Sequence, residues 1–150
     1  VSPLRVYIAT RLHLAARARA LASKLTATGY VVTSRWHAED RDAAYEAGLP
    51  REQRRAIAAM NAADIARAEA FVLLAGGGMQ GALVEIGLAH GMGRFVVVQG
   101  DPSTMTLMAD LPGVHFVESE VEVRGYLHGL AESRPQWNGL GGVVSAEDAL

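Results

Sequence analysis

Ala70-Phe71-Val72-Leu73-Leu74-Ala75-Gly76-Gly77-Gly78-Met79-Gln80-Gly81-Ala82-Leu83-Val84-Glu85-Ile86-Gly87-Leu88-Ala89 reads as a buried strand, a glycine-rich turn and a helix that closes at Gly91 or Gly93. Residues 70–75 are uninterruptedly apolar, as expected of a strand covered on both faces. One carboxylate, Glu85, stands among apolar and small residues in the early turns of the helix. In open α/β sheets, ligands bind at the carboxyl ends of the strands, where helix N-termini present free N–H groups. A glutamate early in a helix is also favoured by the macrodipole alone. Leu83, Val84, Ile86 and Leu88 leave little polar surface here, so the carboxylate borders the core, where it is costly unless partnered or used.

The same alternation extends in both directions. Residues 4–9, 30–34, 95–99 and 114–117 read as further strands. Helical spacing covers residues 14–28, stopping at Gly29, then Arg51–Arg67 behind Pro50, and residues 120–131. Residues 35–50, polar apart from Trp36 and Tyr45, are expected to form a long loop over the site, and residues 101–112 a second loop. The pattern predicts a doubly wound, flavodoxin-like (Rossmann-like) α/β fold, with five parallel strands and helices on both faces. Residues 1–132 form the expected domain. Residues 133–150 lack periodicity and are expected to be an extended or disordered arm.

Composition narrows the function. The chain has 150 residues, half of them hydrophobic, and a net charge of −2 from interspersed acids and bases. No basic stripe tracks a phosphate backbone, so nucleic acid is not an expected partner. No apolar run is long enough to span a bilayer, and a cytoplasmic protein without a membrane partner is expected. Cysteine is absent, which removes thiolate chemistry and cysteine-bound zinc. The histidines stand singly, with His37, Glu39 and Asp40 the one weak cluster, so no metal is expected. Gly76, Gly77, Gly78 and Gly81 match neither the dinucleotide fingerprint nor the P-loop, and no serine occupies a nucleophile elbow. No cofactor is expected.

The remaining groups suit a sugar bearing a base. They are Glu85, Tyr7 on the first strand, polar residues after the first two strands, and the hydroxyls of Ser103, Thr104 and Thr106. A carboxylate facing an anomeric carbon stabilises an oxocarbenium-like transition state, covalently or by charge. Tyr7 and Trp36 offer rings that stack on a base or simply pack. Arg11 and Arg35 are candidates for a 5′-phosphate, although solvated arginines need no such role.

Taken in order, Val6-Tyr7-Ile8-Ala9-Thr10-Arg11, Val32-Thr33-Ser34-Arg35-Trp36, Asn61 to Glu69, and Gly81-x-x-x-Glu85-x-Gly87-x-Ala89 resemble the nucleoside 2-deoxyribosyltransferase family. The resemblance includes the family's 2′-deoxynucleoside 5′-monophosphate N-glycosidase relatives and its short phage and actinobacterial members, and covers roughly residues 4–130. It implies a homo-oligomer, a dimer or larger, with sites completed by a neighbouring subunit. It also implies that Glu85 attacks C1′ of a nucleoside or nucleotide, assisted by Tyr7, with transfer to another base or to water. Thr10 and Arg11 then fall where the sugar or its 5′ end is held, near Gly77, Met79 and Gly81. Ser103, Thr104 or Thr106 would be lent across the dimer.

Two positions depart from the family pattern. Asn61 stands where an Asp contacts the base and handles its proton, and an amide cannot transfer a proton as a carboxyl does. Asp64, one turn on, is the candidate substitute. Met79 replaces a polar residue near the sugar 5′ end. A second resemblance links the glycine-rich segment and Glu85 to the phosphoribohydrolases that release cytokinin bases, without their threonine, which is Ala82 here. A nucleotide-binding or sensing module with lost catalysis is the alternative from another class.

Overall fold

The structure, a computed structural model, describes residues 2–76 and 80–134. Gly77, Met79 and most of the expected arm at 133–150 lie outside the described residues. Five strands, β1 (Arg5–Ala9), β2 (Val31–Val32), β3 (Ala70–Leu74), β4 (Phe95–Gln99) and β5 (Val114–Val117), form one sheet in the order β2-β1-β3-β4-β5. Every pairing is parallel. This is the expected flavodoxin-like order. The helices are α1 (Ala15–Ala27), α2 (Ala43–Ala47), α3 (Arg51–Arg67), α4 (Gln80–Gly91) and α5 (Glu120–Ser133). The helices α3 and α4 pack together on one face of the sheet, the arrangement that right-handed crossovers favour. On the other, α1 is tied to α5 by a 2.6 Å Lys24–Glu120 ion pair.

Burial explains the composition of the strands. All five residues of β3 are buried, because a central parallel strand is covered on both faces. Tyr7 of β1 is in register with Phe71 of β3. Their rings stack 5.5 Å apart and 8° from parallel, filling the core beneath α4. At the far end of the sheet, Glu69 is buried and accepts from Arg5 and Arg134, fastening the end of α5 to β1 and β3. No helix among the described residues is long and apolar enough to cross a membrane.

Three expected elements differ from the observed ones. The second strand is Val31–Val32 rather than residues 30–34, because side chains take over the ladder beyond it. The Ile8 N–H donates to Ser34 Oγ at 3.1 Å, and the Ile8 carbonyl accepts from Trp36 Nε1 at 2.7 Å. With β1 thus satisfied, the backbone is free to turn away. The loop expected over 35–50 contains a 3-10 turn at Trp36–Ala38 and the helix α2. Asp42 caps α2 by accepting from the Tyr45 N–H at 2.7 Å, a side-chain cap outside any long apolar period. The segment 101–112 holds two 3-10 turns, Pro102–Thr104 and Leu107–Asp110.

Gly29 and Gly100 are among the glycines that geometry requires. Gly29 ends α1 at φ +92°, in the left-handed region. A Cβ on Gly100 would stand 2.5 Å from Ala75 Cβ, so only glycine lets the ends of β3 and β4 lie side by side. The α5 N-terminus carries a capping box, with Ser119 Oγ accepting from the Glu122 N–H and Glu122 accepting from the Ser119 N–H.

Candidate active site

Strand order reverses direction between β1 and β3, and a crevice opens at their carboxyl ends. Thr10 Oγ1 donates to the Leu74 carbonyl at 2.7 Å, joining the two strand ends across that point. The chain leaves β1 through Arg11, Leu12 and His13, and these residues form one wall of a cleft of about 490 Å³. A second wall comes from α4 through Gln80, Gly81, Ala82 and Glu85. The crossover after β2 and the helix α3 close the third side, with Trp36, Arg41, Tyr45, Glu46, Leu49, Ile57 and Asn61. The volume suits a small molecule of nucleotide size.

Glu85 lies in the second turn of α4 and accepts a 2.8 Å hydrogen bond from the Tyr7 hydroxyl on its Oε1. Tyr7 is fully buried and braced by Phe71, so the donor is fixed in place. Burial pushes the Glu85 carboxyl up to about 7. The Tyr7 hydrogen bond opposes that rise, and the charge of Glu46 adds to it. Burial, followed by the neighbouring Glu85 charge, raises the Tyr7 phenol far above its ordinary value. Tyr7 therefore remains the donor and Glu85 the acceptor.

Asn61 lines the cleft from α3, and its Oδ1 is buried with no hydrogen-bond partner among the described residues. A buried acceptor without a partner is costly, and a ligand N–H in the cleft removes that cost. Arg41 also lines the cleft, with a buried Nε–H that has no partner among the described residues and a guanidinium 5.3 Å from the Tyr45 ring centre. Trp36 is buried, and its N–H is committed to Ile8, so it offers the cleft ring surface rather than a donor.

Other expected residues lie elsewhere. Asp64 is fully buried and does not line the cleft. It accepts from Arg35 Nε and Nη2 and, at 2.5 Å, from Arg67. Burial alone would raise its carboxyl, but the hydrogen bonds from the two arginines outweigh it and hold the group below its ordinary range. Residues three apart on a helix point about 60° apart, enough to put Asn61 in the cleft and Asp64 beneath it. Arg35 is consequently held on Asp64, away from the cleft, with its side chain more than half exposed. Ser103, Thr104 and Thr106 also lie outside the cleft of their own chain. The Ser103 N–H and the Thr104 hydroxyl are engaged with Asp101 in the turn they form.

No family model matches the chain, and no curated protein does. Among solved structures there is a match over 87% of this chain and 90% of the other, at 15% identity and a TM-score of 0.57. The chain is similar in fold to BlsM, determined in solution. The likeness to BlsM concerns the α/β architecture that places this cleft. The residues of the cleft come from the chain itself.

His13, Arg41, Tyr45, Glu46, Leu49, Ile57 and Gln80 line the cleft but were not among the expected site residues, although the segment 35–50, which holds four of them, was expected over the site. Most of them belong to α2 and its flanks, which look like polar loop when only long periodicity is sought. Two local signals were present there: Asp42 as an N-cap, and Arg41 four residues before Tyr45. Among the described residues, no group of His, Asp and Glu is arranged to hold a metal ion.

Proposed function

We propose that the protein cleaves the N-glycosidic bond of a (2′-deoxy)nucleoside or nucleoside 5′-monophosphate, with Glu85 at C1′ and water or a second base as acceptor. The observation that carries this reading is the Tyr7–Glu85 hydrogen bond at the floor of a nucleotide-sized cleft. An ionised Glu85 takes up C1′ as the bond to the base breaks, giving a glycosyl ester or a tightly paired oxocarbenium ion. The Tyr7 hydroxyl holds Oε1 so that the other carboxylate oxygen is presented to the sugar. Trp36 and Ile57 supply apolar surface for the base, and Asn61 Oδ1 accepts from a base N–H. Arg11 and Arg41 are cations on the cleft wall, which supports a 5′-phosphate over a bare hydroxyl.

On this reading, residues 1–132 are one nucleoside 2-deoxyribosyltransferase-like domain, followed by an arm at 133–150. The protein acts as a cytoplasmic homo-oligomer in which a neighbour lends hydroxyls from the 103–106 loop. The test is chromatographic detection of free base after incubation with pooled nucleosides and nucleoside monophosphates, with and without an acceptor base. Release by the wild type that is lost in Glu85→Ala is the expected result. Undiminished release by Glu85→Ala would overturn the assignment. A binding module of the same fold is the second reading, favoured by the amide of Asn61 in place of an acid. It predicts saturable nucleotide binding and no base release.

A further inference from the structure

The third wall of the cleft is fastened to β1 and α1 through residues 34–40. Ser34 Oγ accepts from the Ile8 N–H at 3.1 Å, and Trp36 Nε1 donates to the Ile8 carbonyl at 2.7 Å. From α1, Arg19 donates to the His37 carbonyl at 2.8 Å and pairs with Asp40 at 2.5 Å. Beyond Asp40, Arg41 pairs with Glu39 and lies over the Tyr45 ring, and Asp42 caps α2, all within the segment itself. Residues 34–40 thus clasp the wall that carries Trp36, Arg41, Tyr45, Glu46 and Leu49.

His37 belongs to this clasp and has no part in the chemistry proposed above. It is buried, with Nε2 2.9 Å from Ser34 Oγ and Nδ1 without a partner among the described residues. Its ring meets the Trp36 ring edge-on, with centres 5.4 Å apart. Ser34 Oγ already accepts from the Ile8 N–H, so its own proton is the one available to join it to a neutral imidazole. A second proton on the ring turns that acceptor into a donor and leaves a buried cation in need of a partner. Among the described residues, the charged groups beside it supply none. Arg19 of α1 is itself a cation, Arg35 is held on Asp64, and Glu39 and Asp40 are paired with Arg41 and Arg19. Burial, and after it the Arg19 charge, hold the imidazole below its ordinary value.

We propose that His37 is a proton-controlled latch on the cleft. Neutral, it holds Ser34 and the clasp on β1; protonated, it leaves its pocket and frees Trp36 and the wall that follows. Its action is independent of the reaction that the cleft carries out. A released ring takes up a proton near the ordinary histidine value of about 6.5, and the latched ring only at lower pH. Between those values the released form binds a proton that the latched form does not, so each unit of acidification favours release by up to about tenfold. Above that window the wall stays in place and the Trp36 ring remains available to a ligand.

The test reads Trp36 directly. In the full chain carrying Trp137→Phe, Trp36 is the one remaining tryptophan. Its quenching by acrylamide is followed from pH 8 to 4.5, with NMR of the His37 ring and far-UV circular dichroism over the same range. Quenching is expected to rise about threefold or more as the buried indole is released. The midpoint should lie below about 6.5 and coincide with titration of the His37 ring, while the far-UV signal holds. Adding His37→Gln keeps a group able to bond Ser34 but unable to take up a proton, so quenching should stay low throughout. A flat profile with His37 present, a transition that persists unchanged with His37→Gln, or one that coincides with loss of the far-UV signal would each overturn the proposal. Should the His37→Gln chain not fold or not keep Trp36 buried, the two midpoints measured with His37 in place decide. A ring that titrates at its ordinary value or above, or apart from the indole, overturns the latch as well.

Discussion

Replacing Tyr7 by Phe removes one hydroxyl from the core and leaves the stacked ring on Phe71 in place. The hydroxyl donates to Glu85 at 2.8 Å and is the influence that holds the carboxyl down against burial. Hydrogen bonds to charged groups are worth about 1.5–3 kcal/mol. At 1.36 kcal/mol per unit, losing this one lifts the Glu85 carboxyl by about 1–2 units from its value of about 7. At pH 7 the ionised fraction then falls from roughly half to about 1–10%. If ionised Glu85 is the reacting group, kcat/KM at pH 7 drops ~5- to ~50-fold. Most of the loss returns above roughly pH 9, as the acid limb of the profile moves up by the same ~1–2 units. The assay is base release between pH 5 and 10 for wild type and variant, with circular dichroism to verify folding. A uniform loss at every pH, with the limb unmoved, would mean that Tyr7 acts by position alone. A limb that moves down would refute the electrostatic argument altogether.

Glu85 also makes stability depend on pH. Its folded value of about 7 lies above the ordinary 4.5, so between those values the folded chain keeps a proton that the unfolded chain has released. Stability therefore falls as pH rises through that window, by up to ~3 kcal/mol. Glu85→Gln should lack this slope in urea melts at pH 5 and 8, and parallel behaviour of the two proteins would contradict it. Asp64→Asn breaks a buried carboxylate's bonds to Arg35 and Arg67, whose side chains are more than half exposed. The expected cost, discounted for that exposure, is ~2–3 kcal/mol. Turnover well below the melting temperature should stay within a few-fold, and a large loss of turnover without loss of stability would return Asp64 to proton handling.

Apolar runs at 70–75 and 95–99, separated by helix-length segments, determined the parallel sheet from sequence alone, because only a strand covered on both faces tolerates that composition. Gly29 and Pro50 marked helix boundaries, since their backbone restrictions act locally. The isolation of Glu85 among apolar neighbours was likewise visible in the chain itself. Its contact with Tyr7 was not, because those residues are 78 positions apart and meet only when β1 enters the sheet beneath α4. Tertiary structure also separated Asn61 from Asp64, sending one side chain into the cleft and the other into an arginine clamp. It replaced the end of the second strand with Ser34 and Trp36 hydrogen bonds to Ile8. The segment 35–50 was expected over the site from sequence, but its helix α2, which carries Tyr45 and Glu46 on the cleft wall, was not, because a five-residue helix is too short to show a periodicity of its own. Local patterning fixes which segments are strands and helices; the chemistry of the cleft depends on distances between segments, and only packing sets those.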